Sequence, residues 1–136
     1  MSRSRYRRLL VIGVLMVSAT AGLARWTRAQ DDGKRKEFMR LKLETAKTLI
    51  EGLALENFDL LEKNARALKK LSMGAEWEVS TIPQLEYVGF TSDFQRAADE
   101  LRDKAKAKNL DGSVLAYQQL TASCVKCHQS MRKRIP

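Results

Sequence analysis

Both cysteines and the only histidine of this 136-residue chain stand together in "SCVKCHQS", residues 123 to 130. Two thiols three residues apart, with an imidazole directly after the second, could form a disulfide, contribute to a zinc site, or fix a haem covalently. On a helix Cys124 and Cys127 lie three positions apart and His128 lies four from Cys124, so all three project toward one side. That is the spacing haem attachment requires: the two thiols add to the two vinyl groups of the porphyrin, and the adjacent imidazole coordinates the iron.

The rival chemistries meet specific obstacles. A tetrahedral zinc site needs a fourth protein ligand, and no second motif supplies one. A disulfide would close a very small loop and leave His128 without a role. A thioredoxin-like redox pair opens a helix that follows a strand, where the positive helix end lowers a thiol pKa; here the pair lies near the end of the last helical segment, in a chain where no segment alternates as a strand. The expectation is one covalently bound haem c, held by Cys124 and Cys127, with His128 as the metal ligand.

Four helical segments are expected to position these residues. In "KRKEFMRLKLETAKTLIEGL" (34–53), Phe38, Leu41, Thr45, Leu49 and Leu53 form one stripe, and Met39, Leu43, Ala46 and Ile50 a second beside it, which predicts a wide buried face. After a break at Leu55 to Asn57, a second helix places Phe58, Leu61, Ala65, Leu68 and Leu71 inward and ends near Ser72 to Gly74. From Met73 to Thr91 the helical period fades, and Gly74, Gly89 and Pro83 predict a long loop, whose aromatics Trp77, Tyr87 and Phe90 close the core, one of them covering a porphyrin edge. "SDFQ" (92–95) fits a capping box that opens a third helix with Phe94, Ala97, Ala98, Leu101 and Ala105 inward. "NLDGS" (109–113) breaks the chain again, and a fourth helix is expected to turn Val114, Tyr117, Leu120, Cys124, Val125, His128 and Met131 inward. The fold class predicted is all-α, an antiparallel up-down-up-down four-helix bundle.

The N-terminal segment reads separately. Arg3, Arg5, Arg7 and Arg8 precede an uncharged run from Leu9 to Ala24, and small residues lead to a polar exit, as in an export signal. Sixteen uncharged residues fall short of the roughly twenty that cross a bilayer. Residues 1–29 are expected to be removed after Ala29, leaving a mature domain of residues 30–136 in the periplasm without stable membrane insertion; a retained signal would make the protein membrane-anchored. The formal charge of +9 includes six arginines and no acid within residues 1–29, which leaves +3 for residues 30–136. With no basic groove motif and no interleaved aromatics, a nucleic-acid partner is not expected.

The haem motif on a last amphipathic helix of an exported four-helix chain resembles the cytochrome c′ family, including its methionine-ligated low-spin relatives. The resemblance runs from Lys34 to Lys133. It is carried by "CVKCHQSMRK", where the family has the motif followed by a basic residue, here Arg132, and it departs at Met131, where an aromatic is common. In helix one, "RKEFM" is similar to the family pattern of an arginine four residues before the side chain that faces the iron. The resemblance thus implies Arg35 and Arg132 beside the haem, Arg35 near a propionate, and Met39 over the distal face. In an up-down-up-down bundle Met39 and His128 each lie about 8 Å from the same end at 1.5 Å per residue, so their levels agree. An open or Leu43-capped distal face is the competing arrangement. Met73, on the loop side, is a second choice of ligand, and Met131 shares the proximal helix with His128.

Two functions follow as expectations. With His128 and Met39 both on the iron, the protein is an electron carrier serving redox partner proteins; the basic tail Arg132, Lys133 and Arg134 most simply complements the negative end of helix four, a docking patch for an acidic redox partner being the sharper alternative. With the distal face open but apolar, it is a five-coordinate haem protein that binds NO or CO. An enzyme is not expected, because the sole histidine is used proximally and no distal acid-base group remains. Pairing into a homodimer through the first two helices is implied by the resemblance alone.

Overall fold

The computed structural model of the chain describes residue 30, residues 33–73 and residues 84–134. The chain divides into two compact units, residues 1–40 and 41–136. In the first, the described residues are helical. The export-signal reading of residues 1–29, Trp77 and most of the expected loop lie outside the described residues.

In the second unit, helix α1 covers residues 41–54, α2 Phe58–Met73, α3 Gln84–Lys106 and α4 Leu110–Arg134. Among the described residues there is no strand, and consecutive helices pack on one another as a helical bundle. Across α2 and α3, partner numbers rise on one helix as they fall on the other. Glu62 pairs with Lys106 and Lys69 with Asp99 across α2 and α3, while Glu86 meets Ser130 across α3 and α4.

Two turns of the same construction connect these helices. Glu56 and Lys108 adopt φ of 50° and 51°, and each is followed by an asparagine whose N–H reaches five residues back, Asn57 to Gly52 O and Asn109 to Lys104 O. The left-handed residue ends one helix by satisfying its last carbonyls, and the asparagine at once caps the next: Asn57 Oδ1 accepts from Leu60 N–H at 3.0 Å and Asn109 Oδ1 from Gly112 N–H at 2.9 Å. Such caps contribute about 1 kcal/mol each. The expected break at 109–113 is therefore narrower than the sequence indicated, because α4 already begins at Leu110.

The core is made by Leu49, Leu61, Ala65, Leu68, Phe94, Ala97, Ala98, Leu101, Ala105, Ala116 and Leu120. The inward stripes expected for α2 and α3 are all in it or packed against it. Three expectations are corrected. Residues 84–91 are helical rather than looped, so Ser92 lies inside α3 and caps nothing. The helix extends backward because Tyr87, Phe90, Phe94, Ala97 and Leu101 keep a spacing of three or four; exposed Val88 and Gly89 conceal it.

Helix α4 turns Leu120, Tyr117, Cys124 and Met131 inward as expected, but not the rest of the stripe. Val114, Val125 and His128 are exposed, while Ser113, Ala116 and Ser123 are buried. Small side chains allow α4 to lie close to its neighbours, and the serines tolerate burial because each hydroxyl donates to its own helix, Ser113 to Asn109 O at 2.8 Å and Ser123 to Leu120 O at 2.7 Å. In α1 the second apolar stripe is not buried: Leu43 is 56% and Ile50 55% exposed, and Leu41 also faces out. The inward side is instead built around Leu49 and Gly52, with Lys42, Thr45, Ala46 and Leu53 at its edges. Two stripes together are wider than the side a bundle helix presents to its core.

Candidate functional site

The residues that carry chemistry lie on the last third of α4. Helical spacing sets Cys124 and Cys127 on neighbouring positions of one face, both half-buried, and Cys124 packs against the hydrophobic core. Neither thiol is in a disulfide. His128 follows on the exposed side of the same turn, and Arg132 is exposed one turn further on. Met131 is half-buried, and Met73, at the end of α2, is 65% exposed. Arg35 and Met39 belong to the first compact unit, where Arg35 is half-buried and Met39 is 38% exposed.

Two further residues surround the thiols, and the sequence reading passed over both. Lys42 on α1 is half-buried, with its ammonium 4.5 Å from the centroid of the Phe94 ring. Glu86, in the first turn of α3, accepts a 2.7 Å hydrogen bond from Ser130 Oγ and lies close enough to Cys127 for its charge to act there. A signal for Lys42 existed. It stands seven residues before Leu49, on the same side of the helix, so a lysine occupied an inward position where burial demands a reason.

Electrostatics at the motif is dominated by burial. Loss of water pushes the Cys124 thiol up, against the opposing influence of Lys42 and a hydrogen bond from Ser123. Burial also pushes Cys127 up, again opposed by Lys42 and reinforced by Cys124 and Glu86. For Lys42, burial favours the neutral amine and holds its pKa below the ordinary lysine range, while the two sulfurs act in the opposite sense. Burial thus makes both thiols harder to ionise than exposed cysteines. An activated redox cysteine has the reverse property, a depressed pKa at a positive helix end, and this pair is far from the N-terminus of α4.

Among the described residues no cluster of three or more histidine, cysteine or acidic side chains is arranged to hold a metal ion. No helix among them is long and apolar enough to cross a membrane. The arrangement offers two half-buried thiols on one helical face, an exposed imidazole beside them, and apolar surroundings behind. That donor set fits a ligand joined through both sulfurs and coordinated by the neighbouring nitrogen. No family model, curated protein or solved structure matches the chain.

Proposed function

We propose that the chain is a c-type cytochrome of the cytochrome c′ kind, with one haem c on Cys124 and Cys127, acting in electron transfer in the periplasm. The observation that carries this reading is the C-x-x-C-H spacing on α4 with both thiols half-buried and outside any disulfide. Each thiol would add across one vinyl group, its sulfur bonding one vinyl carbon and its hydrogen passing to the other. The bound group supplies an iron that changes oxidation state. His128 and Met39 would hold the iron, through the imidazole nitrogen and the thioether sulfur. Arg35 would lie near a propionate and Arg132 beside the haem, and the core behind Cys124 would exclude water. Residues 1–29 act as the export signal, which puts the chain where c-type haem is attached and redox partner proteins are met. Pairing into a homodimer belongs to the same reading.

The optical spectrum in both oxidation states tests the ligand set. With Met39 on the iron, the ferric protein is low spin with a sulfur-to-iron band in the far red, and ferrous protein binds CO poorly. Met39→Ala then gives a high-spin form that binds CO readily, whereas Met73→Ala leaves the spectrum unchanged. A wild-type protein already high spin and CO-reactive would remove Met39 from the ligand set and make the protein a five-coordinate NO- or CO-binding cytochrome.

A further inference from the structure

The position of Lys42 has a consequence for the proposed haem. Helices α1 and α4 are joined where Tyr117 Oη donates to Ala46 O at 3.3 Å. From that point Cys124 is two turns along α4 and Lys42 about one turn back along α1. Helical side chains lean toward the N-terminus of their own helix, and a lysine stem reaches about a further turn. The ammonium comes to rest over the Phe94 ring, itself a core side chain of α3. Cys124 and Cys127 both lie within electrostatic range of it. A charged group is thus held out of bulk water beside the two atoms that would anchor the porphyrin.

We infer that Lys42 is a positioning residue of the haem site, whose fixed positive charge beside the attachment edge raises the reduction potential of the iron. The inference rests on the haem reading above. Oxidation adds one positive charge to the iron, and a neighbouring ammonium opposes that addition more strongly in a half-buried site than in water. The Phe94 face keeps the ammonium in place through its ring quadrupole.

Redox titration of purified holoprotein tests this. Lys42→Met keeps the length and apolar stem and removes the charge; Lys42→Gln is a second uncharged variant should the first accumulate poorly; Lys42→Arg keeps the charge. Both uncharged variants should carry haem with the wild-type ferric spectrum and show a potential displaced to more negative values, while Lys42→Arg remains near wild type. A merely structural lysine would not sort the variants by charge. Haem-loaded Lys42→Met or Lys42→Gln with the wild-type potential would overturn the inference. A wild-type protein with no attached haem would instead overturn the reading on which it stands.

Discussion

Ser130 Oγ donates a 2.7 Å hydrogen bond to Glu86 Oε1, joining the end of α4 to the first turn of α3. The same carboxylate acts on Cys127, so the thiols of α4 are tied to the start of a helix that the sequence pattern had assigned to a loop. A part-buried bond to a charged acceptor contributes about 1.5 kcal/mol. Ser130→Ala should therefore lower the urea midpoint by an amount corresponding to about 1 kcal/mol without changing the slope. An unchanged midpoint would mean that the contact holds nothing together.

Two glycines should respond in opposite directions to the same substitution. A Cβ on Gly52 would stand 2.9 Å from Leu61 Cδ2 and 3.1 Å from its Cγ, and Leu61 is fully buried with no room to retreat. Overpacking there costs about 1–3 kcal/mol, more than the roughly 1 kcal/mol of helix propensity gained, so Gly52→Ala destabilises. Gly89 lies within α3 with nothing within 4 Å of its Cβ position, and Gly89→Ala should stabilise by about 0.5–1 kcal/mol. Thermal or urea unfolding of the pair checks both signs.

The parts of the fold that depend on large apolar residues were legible in the sequence. Leu61, Ala65, Leu68, Phe94, Ala97 and Leu101 repeat at helical spacing, and these positions form the core. What escaped the pattern has physical causes. Ser113 and Ser123 occupy buried positions because their hydroxyls are satisfied within α4, and a hydropathy stripe cannot register that. Leu43 and Ile50 face outward although they are apolar, so the second stripe of helix one indicated burial that does not occur. The spacing of Cys124, Cys127 and His128 is legible in the sequence because it is local, whereas the outward placement of His128 is not. Lys42 and Glu86 join it only through tertiary packing.

Thiol titration in the haem-free chain should reflect burial. Cys124 and Cys127 both have raised pKa values, so the native chain retains protons that the unfolded chain has lost in the interval above the ordinary thiol pKa. Stability contributed by the protonated thiols is complete below that ordinary value and falls as pH rises through the raised one. Alkylation of Cys124 in a Cys127→Ser variant should accordingly become half-maximal at a higher pH than in the urea-unfolded chain. Half-maximal reaction at a lower pH than in the unfolded chain would indicate an activated redox thiol.

Haem attachment itself is tested by extraction and mass measurement. Protein produced in an export-competent host, treated with acid-acetone and weighed by intact mass spectrometry, should keep its colour in the protein fraction and carry the added mass of one haem. Substituting Cys124 and Cys127 together by alanine should release it. Wild-type protein that loses its haem to the solvent, or that is exported with both thiols free, would contradict the assignment of Cys124, Cys127 and His128 as a haem site.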